Sequence, residues 1–227
     1  MTPPIRTRPD GTKYPLRGSG GGKGTTAIVA GGLALAMWAA GGGTGGVTLG
    51  GSGTTAGSMS TVDAATVRSI GKNLPKARRD IKHGNPRRAW KRLGLRLGRR
   101  VTDNALECVT ATYGQVRNLL VHRSCRDLRR FQFPVEYGGG TISVLVSRVR
   151  MRSVSGARSF RDLIDEHGSG DIRPVLPTVR FSGYHYDSKR RRTTVFLAET
   201  ESRDGNVPKQ VLDPTAKAAV TLASSAR

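Results

Sequence analysis

Residues 25–62 carry no charged side chain, in a chain whose formal net charge is +22. A gap of that length divides the chain before any element is assigned. Upstream of it stand Arg6, Arg8, Lys13, Arg17 and Lys23 against Asp10, among Pro3, Pro4, Pro9 and Pro15. Such a composition buries too little apolar surface to offset chain entropy, so residues 1–24 read as a disordered basic tail. Residues 27–40, AIVAGGLALAMWAA, are the apolar part of the gap. Residues 25–49 are therefore the candidate transmembrane or signal segment. The basic flank and the uncharged sequence that follows set the N-terminus on the cytoplasmic side. The apolar run is shorter than the roughly 17–25 residues of a spanning helix. A cleaved signal, cut near Ala34-Leu35-Ala36 or Ala39-Ala40-Gly41, and a flexible Gly/Ala linker are the competing readings. Residues 50–60, GGSGTTAGSMS, form a tether.

Material for a core lies almost entirely beyond residue 100, where 20 Lys and Arg face 13 acids and most of the aromatic and β-branched residues occur. One domain of roughly 120 residues, near the usual size, follows from that distribution. Residues 61–100 read as a basic helical segment and residues 101–227 as an α+β domain. Ser60 with Asp63 offers a capping pair for a first helix, which Pro75 is expected to break or kink. Asn85-Pro86 starts a second. From there Trp90, Leu93, Leu97, Val101, Ala105 and Cys108 recur at helical spacing. Thr112 and Gln115 suggest a further short helix to about Val121.

The period then changes to two. Phe131, Phe133 and Val135 alternate before Gly138-Gly139-Gly140, and Ile142, Val144 and Val146 alternate after it, which predicts a β-hairpin. Ser155 caps a helix through Phe160 and Ile164. Strands are expected at residues 178–186 and 193–200 around a polar turn at 187–192, and a last helix at 214–222. The fold class is α+β: N-terminal helices, then a β-β-α-β-β-α domain with an antiparallel sheet and helices over one face.

Cys108 and Cys125 are the two cysteines. An even count outside the cytoplasm favours a disulfide, and inside it favours two reduced thiols. A helix over residues 112–122 is about 15 Å long, so a bridge requires both flanks to fold back along it. No CxxC motif occurs, which argues against a thioredoxin-type site or a zinc ribbon. The segments Glu107-Cys108-Val109, Tyr113-Gly114-Gln115-Val116, Ser124-Cys125, Phe160 and Gly168-Ser169-Gly170-Asp171-Ile172 resemble a family of uncharacterised actinobacterial proteins. The resemblance spans roughly residues 90–222. It implies one N-terminal membrane segment and a pairing of Cys108 with Cys125, and it implies no activity.

No motif carries a reaction. Gly41-Gly42-Gly43-Thr44-Gly45-Gly46 satisfies G-x-G-x-x-G but neither ends a strand nor opens a helix, as a dinucleotide loop must. SGGGKGT at residues 19–25 lacks the first glycine of a P-loop and the Ser or Thr after Lys23. Asp162, Asp165, Glu166, His167 and Asp171 gather carboxylates around an imidazole, yet Arg158 and Arg161 lie at i,i+4 spacing to Asp162 and Asp165. We expect no catalytic residue, metal or cofactor, and lean against an enzyme. The strongest partner signal is residues 68–100, with thirteen cations to one acid. Arg87, Arg88, Lys91, Arg92, Arg96, Arg99 and Arg100 are the candidate contacts for an anionic partner. Arg148, Arg150 and Arg152 alternate on one strand and, with residues 189–192, offer a second positive surface. The expected protein is anchored in the cell membrane, its main domain extracytoplasmic, binding anionic lipid headgroups or another protein. The alternative is a cytoplasmic nucleic-acid-binding accessory protein that uses the basic helical segment, residues 68–100, as its contact.

Overall fold

The computed structural model describes residues 5–7, 13–15 and 59–226, apart from positions 106 and 178. The chain forms two units, Met1–Gly53 and Thr54–Arg227. In the first, strands β1 (Ile5–Thr7) and β2 (Lys13–Pro15) pair antiparallel, with Arg6 opposite Tyr14. The rest of the basic tail, the candidate membrane segment at 25–49, both glycine motifs and the tether to residue 58 lie outside the described residues. Among the described residues no helix is long and apolar enough to cross a membrane.

The second unit opens with α1 (Thr61–Lys82). Its start follows from Ser60, whose Oγ accepts from the Asp63 backbone N–H at 3.1 Å and donates to Asp63 Oδ2 at 2.6 Å. One orphan N–H of the first turn is thereby satisfied, and the two side chains fix each other. The helix runs through Pro75 rather than breaking there, and Ile70, Leu74, Ala77 and Ile81 join the core on its buried side. It stops at Gly84, which takes φ +75°. Asn85 N–H reaches Asp80 O and Gly84 N–H reaches Ile81 O, both at 2.9 Å, which is a Schellman ending.

Ten residues on, the device is repeated, and it corrects the long helical stripe. Helix α2 (Pro86–Arg92) ends at Gly94, φ +81°, with Leu95 N–H on Trp90 O at 3.1 Å and Gly94 N–H on Lys91 O at 3.0 Å. Beyond it come β3 (Arg96–Leu97) and β4 (Val101–Ala105) instead of helix. Leu97, Val101 and Ala105 keep their apolar spacing but serve as strand positions. Thr112 also acts differently from expectation. Its hydroxyl donates back to Cys108 O and Val109 O, each at 3.1 Å, and α3 (Gly114–His122) starts after Tyr113.

The hairpin is longer than its alternating residues indicated: β5 (Cys125–Tyr137) and β6 (Gly140–Met151). Helix α4 (Val154–Ile164) is capped by Ser153, whose Oγ accepts from Gly156 N–H, rather than by Ser155. Strand β7 (Tyr186–Arg191) occupies the stretch expected to be a turn, and the chain reverses at Arg192 into β8 (Thr194–Ser202). Helix α5 (Lys209–Ala223) begins five residues before Pro214. Among the described residues five helices accompany a six-stranded antiparallel sheet, ordered β3-β5-β6-β8-β7 with β4 also on β5. The fold is α+β.

Side-chain parity then settles the layers. Phe133 and Val135 of β5, Ile142, Val144 and Val146 of β6, and Ala198 of β8 face one side, with Ile70, Trp90, Leu93, Val211 and Val220 from α1, α2 and α5. Leu128, Val149, Met151, Val195 and Leu197 face the other, with Val116, Leu120 and Phe160 from α3 and α4. Helices cover both faces, not one. The apolar residues at both parities of β6 leave neither side free for solvent.

Tyr137 ties the hairpin tip to the first helix, its hydroxyl donating to Asp63 Oδ1 at 2.7 Å. Ser60 first and Tyr137 second hold the Asp63 carboxyl below its usual range. A hydrogen bond to a charged acceptor contributes about 1.5–3 kcal/mol. Tyr137→Phe should lower unfolding stability by that order in urea titrations, and a change within error would show the clamp to be idle.

Candidate functional site

The seven cations expected to meet an anionic partner come from three neighbouring segments, and Arg87, Lys91 and Arg96 line one groove. Arg87, Arg88, Lys91 and Arg92 lie on α2, Arg96 on β3, and Arg99 and Arg100 in the following link. Asp80, buried at the end of α1, accepts Arg92 Nε at 2.6 Å and stands 3.6 Å from Arg88 Nε. The Arg92 hydrogen bond holds Asp80 below its ordinary pKa. Arg96 pairs with Glu136, its cross-strand neighbour. Arg100 lies 5.1 Å from the centre of the Phe131 ring. Arg87, Lys91 and Arg99 are exposed.

The second positive surface also assembles. Register places Arg129 of β5 opposite Arg148 of β6, Arg148 opposite Phe196 of β8, and Phe196 opposite Lys189 of β7. One step along, Asp127, Arg150, Thr194 and Arg191 form the next row. Both rows share the sheet face that α1, α2 and α5 cover elsewhere. Like charges directly opposite are unfavourable. Asp127 relieves part of this, lying 3.0 Å from Arg148, 2.8 Å from Arg150 and 4.0 Å from Arg129. Five cations here share one carboxylate. Arg152 falls beyond the end of β6 and is not part of the array.

The cysteines lie at the same end of the sheet, against its opposite face. Cys108 and Cys125 form a disulfide with Cα atoms 6.3 Å apart, within the usual 4.4–6.8 Å. Both are buried in the core beneath α3 and α4. The fold-back that the spacing demanded is supplied by the turn at Thr112, which returns the chain to α3 from Cys108.

The carboxylate cluster also acquires a definite form. Asp165, Glu166, His167 and Asp171 line a cavity of about 280 Å³ with Tyr113 and Tyr186, whereas Asp162 stays exposed outside it. Asp165 accepts from Tyr186 at 2.5 Å and Ser188 at 2.6 Å, and pairs with Arg161 at 3.2 Å. His167 stacks on Tyr184 at 4.5 Å. Among the described residues no group of three or more His, Cys, Asp or Glu is arranged to hold a metal ion. Asp165, occupied by three donors, is tied into the wall rather than presented to a substrate.

Behind this wall two motif segments cross. Tyr113 N–H donates to Asp171 O at 3.0 Å and Gln115 N–H to Ser169 O at 2.6 Å. Gly170 takes φ +115°, and a Cβ there would lie 2.2 Å from Tyr113 O. The crossing carries Asp171 onto Glu199, a residue that sequence reasoning passed over. Its signal was a carboxylate at the same parity as Val195 and Leu197 in an otherwise apolar strand. Burial pushes Asp171 up to about 6. Burial first, then the Asp171 charge, push Glu199 well above the usual carboxyl range. The pair thus holds a proton to higher pH than free carboxyls do, with Glu199 donating to Asp171.

No protein family matches the chain, and no curated protein or solved structure matches it either.

The carboxyl pair has a signed consequence. Unfolded, Asp171 and Glu199 titrate near 3.8 and 4.5; folded, they hold their protons to higher pH. Their contribution to stability is present below about pH 4 and is lost as pH rises toward and through 6. The double variant Asp171→Asn, Glu199→Gln should therefore gain on the wild type steadily between pH 4 and about 7 in urea titrations. A difference independent of pH would exclude the shared proton.

Proposed function

We propose that this chain is a single-pass membrane-anchored protein, with its N-terminus cytoplasmic and its α+β domain extracytoplasmic. The domain binds a partner and catalyses no reaction. The observation that carries the reading is the buried Cys108–Cys125 disulfide, since such bonds persist in oxidising compartments and are rare in the cytosol. The basic flank before an uncharged apolar run supports it independently. So does the resemblance of the cysteine, Tyr-Gly-Gln and Gly-Ser-Gly-Asp segments to actinobacterial proteins with one N-terminal membrane segment. The residues offered to an anionic partner are Arg87, Arg88, Lys91, Arg92, Arg96, Arg99 and Arg100. Among the described residues Arg87, Lys91, Arg99 and Arg100 are the exposed members in no ion pair.

The test is fractionation of expressing cells, protease treatment of intact spheroplasts, and mass determination without reductant. The expected result is a membrane-bound domain open to protease and lighter by two hydrogens than the reduced chain. A soluble, protected domain with two free thiols would overturn the reading. Replacing both cysteines by serine should lower stability by roughly 3 kcal/mol, the loop-closure value for a span near 17 residues.

A second reading rests on the five-cation sheet face: a cytoplasmic protein that neutralises nucleic-acid phosphates. It requires DNA retention that falls steeply between about 50 and 200 mM salt. Arg129→Glu with Lys189→Glu should abolish that retention. Unchanged retention would remove this reading.

A further inference from the structure

The sheet face that carries the arginine rows also holds a cavity of about 490 Å³, within the roughly 300–1,000 Å³ of small-molecule sites. It opens where α1 and α5 end and α2 begins. Schellman endings terminate α1 at Gly84, α2 starts at Pro86, and α5 runs out at Ala223, so the sheet beyond them has no helical cover. Its floor is apolar: Trp90 and Phe133 meet edge to face at 5.6 Å, and Phe131, Val146, Phe196 and Leu222 complete it. Every charged residue lining it is a cation, namely Lys82, Arg100, Arg129 and Arg148.

Two features of these cations mark one end of the cavity as a place for negative charge. Arg129 and Arg148 stand directly opposite on adjacent strands, an arrangement that costs energy unless an anion intervenes. Asp127 serves both, and Arg150 as well. In addition, Arg148 Nε is buried without a hydrogen-bond partner among the described residues, and a buried donor left unsatisfied is itself costly. An oxyanion between the arginines would add a second negative group to Asp127 and bring an acceptor to the Arg148 guanidinium. A free anion would leave the aromatic floor exposed, and a neutral hydrocarbon would add nothing to the one carboxylate, Asp127, that the arginines share.

We propose that this cavity binds a single-chain amphiphile with an anionic headgroup. The hydrocarbon lies over Trp90, Phe131 and Phe133, and the carboxylate or phosphate is held by Arg129 and Arg148. The proposal concerns the domain's own surface and stands whichever compartment the domain occupies.

The experiment uses the full chain in neutral maltoside, labelled with photoreactive dodecyl phosphate that carries a diazirine at its chain end. Labelled positions are mapped by peptide mass spectrometry over a concentration series below micelle formation. Saturable labelling is expected in the segments of Trp90, Phe131, Phe133 and Leu222. The matching dodecanol probe should need at least about tenfold more, as the loss of one charge-assisted contact predicts. Arg129→Glu, at an exposed position, should raise half-saturation by a similar factor for the phosphate and leave the alcohol unchanged. Ala223→Trp, which fills the cavity from its half-buried wall, should remove labelling of these segments, with circular dichroism reporting the fold. Non-saturable labelling, equal capture of alcohol and phosphate, or labelling that survives in both variants would overturn the proposal. So would inorganic phosphate competing as well as unlabelled dodecyl phosphate, since that describes an anion patch without a chain site.

Discussion

The β5–β6 ladder is the constraint on which the domain is built. Its register is continuous from Asp127–Arg150 to Tyr137–Gly140, with one irregularity next to Cys125. From Ile142 to Ser147 every side chain of β6 is buried, at both parities, so the ladder requires cover on both faces. One covering layer cannot satisfy it. Helices from both ends of the sequence, α1, α2 and α5, close one side, and α3 and α4 from the middle close the other. The disulfide belongs to the second layer and fastens the turn before α3 to the first residue of β5.

Charge follows a different logic from burial. Asp80 and Glu136 pair with Arg88, Arg92 and Arg96 near α2 and β3, so part of a run that looks uniformly positive is already engaged. The less conspicuous arginines of β5 and β6 gather because antiparallel pairing brings distant positions side by side. Surface ion pairs contribute little to stability, typically about 0–1 kcal/mol. Their importance here is that they decide which cations stay available. Asp127, serving three arginines, leaves that array well short of neutrality.

Much of the fold was legible where a local rule had a local cause. The Ser60–Asp63 cap, the start at Asn85-Pro86 and the alternation around Gly138-Gly139-Gly140 all depend on neighbours in sequence. The misreadings arose where apolar spacing fitted two periods. Trp90, Leu93, Leu97 and Val101 match a helix, but Gly94 at φ +81° ends it, and a glycine after a leucine was the cue to weigh more heavily. β7 was read as a turn because Lys189, Arg190 and Arg191 look solvated. An edge strand can carry such residues, since its register is set by β8. The carboxyl pair was hidden for another reason: Asp171 and Glu199 meet only because Gly170 lets one backbone cross another, a non-local event without a periodic signature. The arginine array was visible as a stripe on one strand, but its partners on β5 and β7 required the pairing.

The bridge between Cys108 and Cys125 also changes what a cut in the chain would mean. Between them lies α3, with Arg117, Val121 and Arg123 on its exposed side. Hydrolysis of a peptide bond inside this closed loop would leave two polypeptides still joined through sulfur. Everything upstream, including α1 and α2, would remain attached to the strands that follow. In a protease-rich environment the loop can therefore be severed without releasing the domain from whatever holds its N-terminus, for as long as the surroundings stay oxidising.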